Sequence, residues 1–328
     1  MRALVKISVS LCALLWPSLG HAQGSQDAVG PYPNRPVRIV VPFAAGGPGD
    51  LIARLLAQKL SQNLGKQFYV ENHPGAGGNI GTGLAARAPA DGYTMLLTSA
   101  TFMINASLYP KIPYDPIKDF APVTVAATTP NVLVVHPSVP AKSVAELIAL
   151  ARSGKYNNYA MPGAGTPAHL SGELFKLSLK LDLVAVPFGG GGPMVQSVVA
   201  GHTPVAFSAL PPAAPQIKEG FLRALAVTSA ARISLLPDVP TLSEAGVPDQ
   251  EADTPQGILV PAGTPRAIVD TLYREISRIV AQPDVKQTMA AIGFEPNSVT
   301  PEAFAARIAS DIPKWGKIIR DANIKPEG

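Results

Sequence analysis

The sequence predicts a two-domain α/β fold built on mostly parallel sheets. Three observations carry that expectation. A unit of apolar strand, Gly/Pro-rich turn and amphipathic helix recurs along the chain. One version of it, a strand followed by Pro-Phe and glycines, occurs twice, at Pro42-Phe43 and Pro187-Phe188. The length of 328 residues also exceeds what one ordinary domain needs.

The first residues set the compartment. Arg2 and Lys6 lead into an apolar run, Ile7 to Trp16, and Gly20-His21-Ala22 is a small-x-small cleavage site before Gln23. That layout is a cleavable signal peptide over residues 1–22, so the mature protein is expected to be exported and periplasmic. The run is too short to span a bilayer. Cys12, the only cysteine, lies inside it, so disulfides and thiolate zinc sites are not expected in the mature chain. Leu11 is too bulky to precede a lipidated cysteine. Removing Arg2 and Lys6 takes the formal charge from +4 to +2, and with no Lys/Arg stripe this argues against a nucleic-acid partner.

The mature chain opens with Val37 to Val41, a β-branched run typical of a buried strand. Pro42 to Gly49 is the turn after it. Asp50 then opens a helix with Leu51, Ile52, Leu55, Leu56 and Leu60 on one face. Gly65 ends that helix, and Phe68 to Val70 is the next strand. A second glycine turn, Pro74 to Gly78, leads into a small-residue helix through Arg87. Asp91-Gly92 turns the chain into a strand from Tyr93 to Leu97 that ends at Thr98-Ser99.

The pattern changes near Val123, and Val132 to Val135 is a further strand. Ser143 and Glu146 form a capping box for a helix reaching Arg152, followed by Gly154. Tyr159 to Met161 runs into the turn Pro162 to Thr166, and Pro167 starts a helix to Leu179. The next unit is the strand Val184 to Val186, the turn Pro187 to Pro193 and the helix Met194 to Ala200. Val205 to Phe207 is a strand ending at Ser208, and Leu222 to Thr228 is another. The amphipathic helices Ile268 to Ala281 and Pro301 to Ala322 are expected to return to the first domain and brace it. The expected division is residues 23–128 plus 228–328 for one domain and 129–227 for the other.

Ligands of open parallel sheets sit beyond the carboxyl ends of the strands. All four glycine-rich turns fall there, each before a helix N-terminus. Unpaired N–H groups and the positive end of the helix dipole attract anions, and glycine lets the backbone come close. A cleft between two domains lined by such turns is suited to a small carboxylate, held by backbone and water.

The ordered segments YPNRPVRIVVPFAAGGPGD (Tyr32 to Asp50), VENHPGAGGNIG (Val70 to Gly81), APADGYTMLLTS (Ala88 to Ser99), Gly163-x-Gly165-Thr166-x-x-His169-Leu170, VPFGGGGP (Val186 to Pro193), LRALAVTSAAR with LPDVPTLSEAG (Leu222 to Gly246), PAGTP (Pro261 to Pro265) and WGKIIRDANI (Trp315 to Ile324) cover nearly the whole mature chain. Through them the chain resembles the Bug/TctC family, the substrate-binding subunits of tripartite tricarboxylate transporters. The resemblance implies a type II periplasmic-binding-protein-like fold, two domains joined by crossing strands. It implies a carboxylate held by loop backbone and water, and delivery to large and small permease subunits of the membrane. The implied ligand contacts are Phe43, Ala44, Gly47 and Asp50 from the first loop, with Ser99 and Thr101 in the same domain. Gly163, Thr166 and His169 come from the facing domain, with Gly189, Gly190 and Pro193. A monomer that needs no cofactor and no metal is expected.

Two departures stand out. The family usually carries an Asp where this chain has Ser208, and an aromatic Trp-x-Gly where it has Pro255-Gln256-Gly257. With Ser208 in place of an acid on the cleft wall, the expected ligand lacks a free amine, as a plain or aromatic carboxylate does.

Several residues admit two readings. His169, one helical turn after Thr166, is either a donor to a carboxylate or a first-turn histidine bonded to its own loop. Asp50 reads first as a helix-start acid that braces its loop, because its charge repels a nearby carboxylate. Gly81 to Ala86 and Gly163 to Ala168 fit a loose G-x-G-x-x-A, yet neither has, about 20 residues on, the acid at a strand end that a dinucleotide site requires. His73, His136 and His202 are loop residues without a second metal ligand at useful spacing. The rival class is an exported hydrolase with Thr166 and His169 as nucleophile and base, but no orienting acid is evident and G-x-S-x-G is absent. A receptor presenting its ligand to a sensor kinase is a variant of the binding reading.

Overall fold

The computed structural model describes residues 32–326, so the expected signal peptide and Cys12 lie outside the described residues. In chain order the elements begin β1 (Val37–Val41), α1 (Pro48–Leu64), β2 (Phe68–Asn72), α2 (Asn79–Ala86), β3 (Thr94–Thr98), α3 (Thr101–Leu108) and β4 (Phe120–Thr129). They continue β5 (Asn131–Val135), α4 (Val144–Arg152), β6 (Asn158–Met161), α5 (Pro167–Leu179), β7 (Val184–Pro187), α6 (Gly191–Val199), β8 (Val205–Ala209), α7 (Leu210–Lys218) and β9 (Arg223–Val227). The chain finishes with β10 (Thr254–Pro261), α8 (Arg266–Ala281), α9 (Pro283–Ala291), β11 (Glu295–Pro296) and α10 (Pro301–Asp321).

Two sheets organise these elements into two lobes. The first has the order β11-β4-β10-β3-β1-β2 and the second β7-β6-β8-β5-β9. Apart from the short β11, the two orders are the same arrangement. Each has a parallel trio (β2-β1-β3, β7-β6-β8), then a reversed strand (β10, β5), then a last strand (β4, β9) antiparallel to it. As expected, most strands of each sheet run one way, and each sheet is mixed because one long strand, β10 in the first and β5 in the second, is reversed. The cause is the connectivity. The chain crosses from β4 to β5 and returns from β9 to β10, and each crossing strand enters its new sheet from the carboxyl edge, opposite to the trio.

The crossings are tied together. Asn131 N–H donates to Thr228 Oγ1 and Thr228 N–H to Asn131 O, both at 2.9 Å. Asn131 Nδ2 and Thr228 Oγ1 both donate to the Ala252 carbonyl, at 2.9 and 3.1 Å.

Local sequence explains most elements. In α1 the buried stripe is Ile52, Leu56 and Leu60 with Ala53 and Ala57, one position off the expected face, so Leu51 is exposed. Gly65 ends α1 in the left-handed region (φ 68°), its N–H bonded to Ser61 O. Ser143 caps α4 as expected, although Glu146 reaches back to the Lys142 N–H rather than to Ser143. α6 starts at Gly191, three residues before the expected Met194, so Gly192 and Pro193 belong to its first turn. α8 packs on β4 and α1, and α10 packs on α3 and β4 and also meets α5. In the first lobe Phe102, Tyr114 and Phe120 form an aromatic cluster under α3. In the second, Phe207 packs against Tyr159 and Phe175.

Candidate functional site

Three loops leave the carboxyl ends of the first lobe's parallel trio: 42–47 after β1, 73–78 after β2, and Ser99-Ala100 after β3. Asp50 organises the first. It is 2% exposed, in the first turn of α1. Its Oδ2 accepts from Gly46 N–H and from Arg54 Nε, both at 2.9 Å, and its Oδ1 accepts from Asn72 Nδ2 at 3.0 Å. The same Asn72 amide donates to the Phe43 carbonyl at 3.0 Å. Asp50 therefore ties the β1 loop to itself and to the end of β2. Burial pushes its pKa up, but the hydrogen bonds from Arg54, Gly46 and Asn72 and the Arg54 charge outweigh it and hold the pKa below the ordinary value of 3.8.

The Phe43 ring lies half-buried on the second loop. A Cβ at Gly78, where φ is 94°, would come within 3.2 Å of it. At Gly81 a Cβ would stand 2.7 Å from the His73 carbonyl and 2.8 Å from Pro42, which explains the small-residue character of α2. Ala44 is exposed and Gly47 is the N-cap of α1. Ser99 Oγ and Thr101 Oγ1 share a hydrogen bond of 2.9 Å at the start of α3.

In the second lobe, the loop after β6 holds its own polar side chains. Thr166 Oγ1 donates to Gly163 O at 2.8 Å and accepts from His169 N–H at 3.3 Å. Gly165 N–H donates to His169 Nδ1 at 3.1 Å, so Nδ1 is an acceptor and the ring is oriented by its own loop. His169 Nε2 stands 3.9 Å from the buried Glu173, which also accepts from the Tyr159 hydroxyl at 2.8 Å. Burial, and then the Glu173 charge, push the Tyr159 pKa up. Thr166 thus caps α5, and its hydroxyl is engaged with Gly163 O and the His169 N–H. Thr166→Ala is expected to cost about 1 kcal/mol of stability, read as a melting temperature lower by roughly 2–4 °C in calorimetry.

The loop after β7 is different. Gly190, the N-cap of α6, has φ 124° and gives no side-chain cap. At Gly189, Gly190 and Gly192 an added Cβ would meet no atom within 4 Å, so close packing does not require these glycines. Pro193 is exposed beside them. Ser208 lies within β8, fully buried, its Oγ donating to the Ala209 carbonyl at 2.8 Å. That hydroxyl is turned back on the backbone.

Two features bring these parts together. A Cβ at Gly165, φ 71°, would lie 2.1 Å from Leu108 Cδ2, with Ile104 Cγ2 at 3.8 Å, so the β6 loop presses on α3 of the first lobe. Leu170 of α5 shares a core with Phe102, Met103, Ile104 and Trp315. The carboxyl edges of the two sheets therefore meet on one side. Behind three of the four glycine loops the helices α1, α2 and α6 have no side-chain N-cap, as α3, α7, α8 and α9 also have none, whereas α5 behind the fourth is capped by Thr166, and α4 and α10 by Ser143 and Thr300. Asn72, Arg54 and the Leu108 contact were not singled out by sequence. Only the position of Asn72, at a strand end beside a glycine turn, signalled it.

Comparisons with known proteins agree with this architecture. Residues 52–324 match the family model described as tripartite tricarboxylate transporter family receptor, TctC. A Rhodopseudomonas palustris protein, Rpa4515, solved with adipate, is 36% identical, covers 90% of this chain and all of its own, and superposes with a TM-score of 0.84. The periplasmic binding protein BugD is 34% identical over 90% of this chain and all of its own, with a TM-score of 0.80. MatC from Rhodopseudomonas palustris, solved with bound malate, is 33% identical over 88% of this chain and all of its own, with a TM-score of 0.79. This chain belongs to the TctC family of tripartite tricarboxylate transporter receptors, a family of periplasmic solute-binding proteins.

Proposed function

We propose that this protein captures a small organic carboxylate between its two lobes and delivers it to the permease of a tripartite tricarboxylate transporter. The observation that carries the reading is the set of uncapped helix N-termini behind glycine loops at the carboxyl edges of two matched sheets. Such ends offer N–H donors and a positive dipole to an anion. The open glycines of the β7 loop support it, since a ligand there meets backbone directly. So do the adipate and malate bound by two of the similar proteins.

Among the described residues the lobes are 32–128 plus 228–326 and 129–227, and the crossings between them serve as the hinge. Ligand bridges the loops after β1 and β3 and the loops after β6 and β7, and stabilises the closed form by its differential affinity. Phe43, Ala44, Gly47, Ser99, Gly189, Gly190 and Pro193 line the site, while Asp50, Thr166 and His169 shape their loops. Residues 1–22 direct export and are removed, and the mature monomer acts without chemistry on its cargo.

A thermal-shift screen of the mature protein tests this. A ligand at 100 times its Kd adds about 2.7 kcal/mol, so a rise of roughly 5–10 °C is expected with dicarboxylates or aromatic acids. Aspartate and glutamate are expected to give none, because the Ser208 position offers no acid to an ammonium group. Silence from every acid after denaturation and refolding would remove the reading. A shift with aspartate would remove only the amine discrimination.

A further inference from the structure

β10 returns the chain to the first sheet, and Gln256 in it is 1% exposed. Neither its Oε1 nor its Nε2 has a hydrogen-bond partner among the described residues. The side chain is aimed at the first turn of α1. A Cβ built on Gly49 would lie 3.5 Å from Gln256 Oε1, with Leu97 Cδ2 at 3.3 Å and Val41 Cγ1 at 3.7 Å around the same spot. Thr254, two residues earlier and so on the same face of the strand, is also buried with its Oγ1 unpartnered.

A buried primary amide without hydrogen bonds costs stability, and leucine would fill the same space without that cost. The helix end it faces lacks a side-chain cap. Gly47 is its N-cap and Pro48 has no N–H, so Gly49 and Asp50 carry the first N–H groups inside the helix. An anion seated at this end meets the helix dipole and those donors from one side and the Gln256 amide from behind.

We propose that Gln256 is a specificity-determining residue of the ligand site. Its amide sets one donor, Nε2, beside one acceptor, Oε1. The complement is a group with an acceptor beside a donor, which a hydroxyl adjacent to a carboxylate supplies. Nε2 donates to the carboxylate oxygen and Oε1 accepts from the hydroxyl. Gln256 thereby selects hydroxy acids over the same acids without the hydroxyl. This rests on the carboxylate-binding reading and adds the residue that discriminates within it.

Calorimetric titration of the wild type and of Gln256→Leu with L-malate and succinate tests the assignment. The wild type is expected to bind malate about tenfold more tightly than succinate, and Q256L to bring the two affinities together. The melting temperature of ligand-free Q256L is expected to equal or exceed that of the wild type, since an unpaired buried amide is replaced by an apolar group. If Q256L is insoluble, Q256N, one methylene shorter, is expected to lose the same preference. An unchanged malate-to-succinate ratio in a folded variant overturns the proposal. So does a wild type that binds adipate or succinate without favouring malate, which leaves the carboxylate reading standing. A wild type that binds no acid removes both.

Discussion

Replacing Asp50 with asparagine is expected to produce one of the largest losses of stability available from a single polar change. The carboxylate accepts from three donors at once: Gly46 N–H, Arg54 Nε and Asn72 Nδ2. An amide keeps one acceptor oxygen and turns an N–H toward groups that are themselves donors. Gly46 and Arg54 are exposed and can turn to water, so the cost is the loss of charge-assisted hydrogen bonds to a buried carboxylate, about 1.5–3 kcal/mol, or roughly 3–12 °C in melting temperature. The pH dependence identifies the cause. Because the folded pKa of Asp50 is held below 3.8, its stabilisation is complete above that value and is lost as pH falls through the lower folded value. The gap between wild type and D50N is therefore expected to be constant near neutrality and to narrow in acid. A gap independent of pH down to the wild-type acid transition would show that the carboxylate charge is not what braces the loop. Carboxylate affinity is expected to fall as well, since the loop held by Asp50 carries Phe43, Ala44 and Gly47.

How far the sequence foretold this structure depends on the type of signal. β1, α1, α4 and α5 were legible because their cues are local: a β-branched run, an apolar stripe, the Ser143 cap, and Pro167 in a first turn. α3 gave no such cue. Thr101–Asn105 and Leu108 are all buried, so it has no polar face and no amphipathic period. α7 was hidden by Pro211, Pro212 and Pro215, although the first two sit where a helix has no N–H to lose. β4 and β10 contain Pro122 and Pro255, which argue against interior strands. The reversed strands are β10 in the first sheet and β5 in the second, and the Val132 to Val135 run marked β5 as a strand without giving its direction, which the crossings between lobes set. At the candidate site the glycine loops could be read directly, because four of them recur at strand-to-helix turns, although Gly78, Gly81 and Gly165 also serve backbone angle or packing. The bracing by Asn72 and Arg54, the inward-turned Ser208 hydroxyl and the unpartnered Gln256 depend on tertiary packing, which no local pattern encodes.

The contact between the β6 loop and α3 leads to the other large effect expected, at Gly165. An alanine there must adopt φ near 71°, which costs about 1–2 kcal/mol for a residue with a Cβ. That Cβ must also displace Leu108 Cδ2, which stands 2.1 Å from its position. Overpacking of this kind adds about 1–3 kcal/mol, so Gly165→Ala is expected to destabilise by about 2–5 kcal/mol in denaturant titration. The two costs can be separated. Leu108→Ala removes the obstructing methyl at the expense of a cavity, itself worth about 2–5 kcal/mol. In the double variant the new methyl enters that cavity, so the combined loss is expected to fall short of the sum by about 1–2 kcal/mol. Strict additivity would mean that Gly165 serves only its own backbone angle and that the two lobes are not held together at this point. Favourable coupling would make Gly165 the place where the second lobe seats on the first. The face of α3 that receives it would then be a fixed side of the site, with the glycine loops of α1 and α6 free to close on the carboxylate opposite.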